Sequence, residues 1–167
     1  MKRYSRLAII ALIVLLVGVG AFVLVKRSLN KRASSRTLQE DNIAEVVFRH
    51  EIDESHRQEG YSMFFLSRGE RIDPTDTFMR RFANQGYVVK PVSQSVILYD
   101  GVRDKSSPKG DRGLILGIHR ITWVTGTEAA VGVSTFSWGW GQSASVCRVV
   151  LENGAWVVKN CDLTLIT

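Results

Sequence analysis

Cysteine, proline and histidine are scarce in this chain: two cysteines, three prolines and three histidines in 167 residues. With only His50, His56 and His119, a histidine cage for a metal has few side chains to draw on. The stretch HEIDESH at 50–56 carries Glu54, not histidine, four residues after His50. Two imidazoles therefore do not share a helical face, and the zinc-protease pattern is missed. There is no CxxC pair, no GxSxG elbow and no glycine-rich phosphate loop, so no metal and no cofactor is expected. Acid is missing from the first part of the chain. Residues 1–36 hold eight basic residues and no Asp or Glu, whereas the rest holds 14 basic and 16 acidic residues. The net charge of +6 thus belongs to the N-terminal segment. A nucleic-acid footprint needs basic residues clustered on the folded body, so no nucleic-acid partner is expected.

What that segment does have is a long apolar run. Leu7 to Val25 is 19 residues without a charge, which as a helix would span roughly 28 Å, close to the hydrocarbon thickness of a bilayer. A cleaved secretory signal usually has an apolar region of about 7–15 residues followed by a small-x-small site; here GVGA sits inside the run. The expected organisation is a tail over 1–6, a single-pass transmembrane signal-anchor helix over 7–25, a basic juxtamembrane linker over 26–36 and a domain over 37–167, with the lipid bilayer as a partner. Three basic residues precede the run and five follow it closely. A positive-inside count would place the domain in the cytoplasm, a short translocated tail would place it outside, and charge leaves both open.

In the body, Ile43, Val46, Val47 and either His50 or Ile52 fall at helical spacing from Thr37 to about Arg57 and predict an amphipathic helix. The run Tyr61–Leu66 could continue that helix or form a strand. DPTDTFMRRFANQG predicts a second helix, with Asp73 as N-cap, Pro74 in the first position, Phe78, Met79 and Phe82 on its apolar face and Gly86 as C-cap. After Gly86 the period changes. Five segments rich in Val, Ile, Trp and Thr, starting at Tyr87, Gly113, Glu128, Ser143 and Ala155, read as strands. DGVRDKSSPKGDRG between the first two reads as a long loop. The expected fold class is α+β, helices packed on a curved antiparallel sheet of about five strands, with glycines 132, 139 and 141 marking bulges or curvature.

The early amphipathic helix, the helix opened by DPTDTFMRRF and the closing hairpin RVVLENGAWVVKN resemble the nuclear-transport-factor-like, or cystatin-like, cone-fold superfamily. DPTDTFMRRF followed by VKPVS and GVRDK resembles an uncharacterised bacterial group within it. The resemblance covers about residues 37–167. It implies isomerases, dehydratases, polyketide cyclases, transport adaptors or membrane-tethered scaffolds, so fold alone does not select an activity. The expectation is a non-catalytic, extracytoplasmic binding or scaffold domain at a bacterial inner membrane, periplasmic or extracellular. A protein partner or a second copy would dock on it, as in an envelope or secretion assembly. The alternative is a small-molecule isomerase or hydrolase with a pocket in the cone.

An enzyme of that kind would place an acid or base in its pocket. By strand position the candidates are His119, expected on the same face as Ile121 and Trp123, with Asp100 and Glu128; the competing reading is a sheet histidine and solvated carboxylates. STFSWGWGQ puts Phe136, Trp138 and Trp140 on one face of a strand, either as an aromatic binding platform or as core. Cys147 and Cys161 flank the ENG turn. If Asn153-Gly154 is a two-residue turn, Cys147 faces Asn160 and Cys161 faces Val146, and the thiols lie on opposite faces. If ENG is a three-residue loop with a glycine bulge, both thiols share a face one diagonal step apart, within reach of a disulfide after a small distortion. A bond would favour a domain outside the cytoplasm.

Overall fold

The computed structural model describes residues 35–137 and 141–166. The chain divides into two compact units, Met1–Gln39 and Glu40–Thr167, and the second holds the sheet and its core. Helix α1, described over residues 35–59, turns Ile43, Ala44, Val47, Phe48 and Ile52 to one side, each fully buried, because positions three or four apart stack along one helical stripe. It ends where Gly60 takes φ 73° and its amide returns to His56 O at 3.0 Å, a left-handed cap that glycine adopts without a Cβ penalty.

The ambiguous run after Gly60 is a strand. β1 (Met63–Arg68) is followed by β2 (Val88–Pro91), β3 (Ser95–Leu98), β4 (Gly101–Asp104), β5 (Gly113–Thr125), β6 (Glu128–Phe136), β7 (Gln142–Glu152) and β8 (Ala155–Ile166). They form one eight-stranded sheet in the order β2-β1-β5-β6-β7-β8, with the β3–β4 hairpin joining through β4 to β5. β1 runs parallel to both β2 and β5, and the remaining pairs are antiparallel. The expectation of about five antiparallel strands is therefore corrected to a mixed sheet of eight. Pro91 is one reason: it lacks an N–H, closes β2, and leads into a single 3-10 turn, Val92–Gln94, before β3 begins. The other is that GVRD, expected in a long loop, is the buried strand β4, with Val102, Arg103 and Asp104 all under a tenth exposed.

The second helix is also shorter than its sequence suggests. α2 spans only Asp76–Met79, followed by a 3-10 turn at Arg80–Phe82. Its cap is Thr75, whose Oγ1 accepts from Phe78 N at 3.2 Å, while Asp73 accepts from Ser93 N instead. Asn84, at φ 61°, turns the chain away before Gly86. A transmembrane helix was expected over Leu7–Val25. That stretch lies outside the described residues, and among those described no helix is long and apolar enough to cross a membrane. The transmembrane, single-pass and signal-anchor reading thus finds no support in the structure.

α1 covers one face of the sheet. Its stripe meets Phe64 and Leu66 of β1, Leu114, Leu116 and Ile118 of β5, Ala129, Val131 and Val133 of β6, and Cys147 and Val149 of β7, the alternate residues that a strand period of two turns inward. Phe48 stands at edge-on angles to Phe78 and Phe82, at 6.1 and 6.3 Å between ring centres, so the short α2 segment closes the end of this core. Phe65 points to the opposite face, where Gly113 leaves it room: a Cβ there would stand 2.6 Å from the ring.

The closing hairpin turns at Asn153 and Gly154, φ 52° and 82°, a two-residue turn with Glu152 opposite Ala155. The expectation that this turn sends the cysteines to opposite faces is corrected by a bulge. Val149 pairs with Val158 but Arg148 pairs with Asn160, so Lys159 is an extra residue that slips the register by one. Cys147 and Cys161 become direct partners and are joined as a disulfide, with Cα atoms 4.0 Å apart.

Candidate functional site

The candidate residues from the sequence fall on the sheet face away from α1. β5 carries its own bulge: Ile118 pairs with Val133 and Arg120 with Gly132, leaving His119 between them. The extra residue reverses the parity of the strand. Before it the even positions Leu114, Leu116 and Ile118 point inward; after it Ile121 and Trp123 do. His119 is thus not on the face of Ile121 and Trp123, as strict alternation predicts, but on the opposite one, where its Nε2 stands 2.6 Å from Ser134 Oγ. Gly117 makes that pairing fit, since a Cβ on it would lie 2.9 Å from the same Oγ.

Around this pair opens a cleft of about 280 Å³ with Ile115, Gly117 and Phe136 as its floor and Ser67, Glu70, Arg71 and Gln142 at its sides. The parallel pairing of Ser67 with Gly117 carries the turn after β1 to the His119 side. That turn is shaped by Gly69 and Arg71 at φ 91° and 56° and tied down by Ser67 Oγ donating to Gly69 O at 2.9 Å and by Gly69 N donating to Ile118 O at 2.7 Å. A left-handed arginine stores a modest conformational cost, and here the turn that holds it lines the cleft. Glu70, Arg71, Ser67 and Gln142 were not legible as site residues. They are ordinary turn and strand residues until a contact between distant strands assembles them.

Asp100 and Glu128 do not join His119. Asp100 accepts from Arg103 Nη2 at 2.8 Å in the β3–β4 turn. Glu128 accepts from Arg148 at 2.7 and 3.3 Å, and that guanidinium hydrogen bond holds its carboxyl below the ordinary range. Glu128 and Ser134 are six positions apart along β6, roughly 20 Å of strand. Of the aromatic trio, Phe136 forms part of the cleft floor; Trp138 and Trp140 lie outside the described residues. What remains around His119 is a hydroxyl–imidazole pair on an exposed sheet face. Among the described residues no carboxylate orients the second ring nitrogen, the arrangement a serine nucleophile and its base need. No family model, no curated protein and no solved structure matches this chain.

Proposed function

We propose that this protein is an extracytoplasmic binding or scaffold domain that engages its partner through the sheet face carrying Phe136 and His119. The observation that carries the reading is that the core between α1 and the sheet is filled: Phe48, Phe64, Leu66, Leu116, Val131 and Val149 are fully buried there, and among the described residues the cleft on that side lies between α1 and the closing hairpin, beside Arg49 and Trp156, rather than in the core. The opposite face is open and mixes an aromatic ring with hydrogen-bonding groups of both polarities, the composition of a recognition surface. The Cys147–Cys161 disulfide supports an oxidising compartment. Kinship with the cone-fold superfamily belongs to the same reading, supported by one helix laid across a sheet that closes with an Asn153-Gly154 hairpin.

One observation favours a second reading, a hydrolase, and that is the 2.6 Å contact between Ser134 Oγ and His119 Nε2. The two readings separate in a single set of variants. Phe136→Ala, with an unchanged unfolding midpoint, is expected to lose a partner that the wild type retains in affinity capture from envelope extracts. His119→Ala is expected to remain folded, and neither protein should hydrolyse an activated aryl ester above the buffer rate. Ester turnover abolished by both Ser134→Ala and His119→Ala would put the enzyme reading first.

A further inference from the structure

On the helix-side face, at the β7–β8 pair, two sulfurs, a carboxyl and an imidazole meet. One ligand-type atom each from His50, Glu51 and Cys161 lies within 4.8 Å of the others, and Glu51 Oε1 is 3.5 Å from Cys147 Sγ. The trio is not a cation site, because Cys161 Sγ is bonded to Cys147 and has no thiolate to offer. The two sulfurs differ in access. Cys147 is fully buried and pairs directly with Val131 of β6. Cys161 is half-buried on β8, the outermost strand on its side of the described sheet. An incoming thiolate reaches Cys161 first, and the bond then breaks toward Cys147. A thiolate released among Val131, Val149 and Ile52 would be strongly disfavoured without a proton.

We propose that Cys147–Cys161 is an exchange-competent disulfide, opened at Cys161 by an external dithiol, with Glu51 as proton donor to the buried Cys147. In the first step the dithiol's thiolate forms a bond to Cys161 Sγ, the Cys147–Cys161 bond breaks, and the Cys147 sulfur takes the proton of the Glu51 carboxyl. In the second step the dithiol's other thiolate attacks its own sulfur in the mixed disulfide and expels Cys161 as a thiolate beside the His50 imidazole; the dithiol leaves oxidised and the protein has gained two electrons. The reverse sequence lets an external disulfide reoxidise the pair, with the Glu51 carboxylate taking the Cys147 proton. Burial pushes the Glu51 carboxyl up, opposed by His50 and reinforced by Glu54, so the group keeps its proton to higher pH than an ordinary glutamate. The basic neighbours of the two cysteines along β7 and β8, Arg148 and Lys159, are held by Glu128 and Glu152 at 2.7 and 2.6 Å.

The test uses the oxidised full chain in mild detergent with excess dithiothreitol, thiols being trapped by a maleimide at timed intervals from pH 6 to 8. Wild type is expected to open from the native state, at a rate proportional to dithiol and insensitive to sub-denaturing urea. Glu51→Gln is expected to open about a hundredfold more slowly near pH 6–7, the lower end of what a positioned acid contributes. Its unfolding midpoint at pH 7 should be equal or higher, since an amide avoids the charge that burial penalises. In denaturing urea the two proteins should open alike. Equal native-state rates for wild type and Glu51→Gln would overturn the proposal. So would a wild-type rate that climbs with sub-denaturing urea as steeply as global unfolding does, and this urea series decides the matter even if Glu51→Gln fails to fold.

Discussion

At the scale of single residues, Asp104 shows how a charge is held under cover. It is 5 % exposed, pairs with Lys90 Nζ, and accepts from Ser106 N and Oγ at 2.9 Å each. The lysine first, then the serine amide, hold its pKa down to about 2. A carboxyl whose folded pKa lies below its unfolded value of about 3.9 contributes stability that is present above pH 4 and is lost as pH falls through about 2. The unfolding midpoint of wild type should therefore drop relative to that of Asp104→Asn between pH 4 and pH 2, with a constant gap above pH 5. A gap that stays constant down to pH 2 would mean the pair contributes nothing through ionisation. The same scale explains why the candidate site was only partly legible. His119 and Phe136 could be picked out as a histidine and an aromatic on strands, but the bulge that turns His119 outward leaves no mark in composition.

At the scale of elements, α1 and the closing hairpin carry most of the fold's specification. The α1 stripe is readable because a helix that covers a sheet must put its apolar residues at a 3.6-residue period. Phe48 is its centre, buried against Phe78 and Phe82. Phe48→Ala should lower unfolding free energy by about 3–5 kcal/mol, the usual range for deleting a buried ring, measured in urea with the disulfide intact. A loss under 1 kcal/mol would show that α2 and α1 do not share one core. The β8 edge has its own safeguards. Lys159 and Thr164 are both extra residues in its register with β7, and bulges with a lysine at one of them blunt an open edge against pairing with another chain.

At the scale of the whole molecule, the disulfide is the constraint that ties the last two strands together beyond their hydrogen bonds. It closes a loop with a sequence separation of 14, for which chain-entropy arguments give about 3 kcal/mol. Alkylation of unreduced protein followed by mass spectrometry should find no free thiol in material from an oxidising compartment. Cys147→Ala/Cys161→Ala should unfold at a lower urea concentration by an amount equivalent to about 2–4 kcal/mol. Two free thiols in carefully isolated protein would remove the main support for an extracytoplasmic setting. No buried side-chain polar atom among the described residues lacks a partner.

The sequence by itself determined the local features: the amphipathic stripe of α1, strands β5 to β8 in order, the Asn153-Gly154 turn and the separation of a basic apolar N-terminal segment from a slightly acidic body. These depend on period, turn chemistry and charge, which act within a few residues. Only the tertiary structure decided that β1 inserts in parallel between β2 and β5, that GVRD is a buried strand, and that α2 shrinks to one turn. Each of these depends on contacts across tens of residues, which local propensity does not encode. The cysteines mark the boundary most sharply. A two-residue turn should part them, and it does form; one extra residue, Lys159, brings them back together. Whether a strand accommodates a bulge is settled by how its far end packs against the sheet, where Cys147 is buried under α1, and no residue in the hairpin announces it.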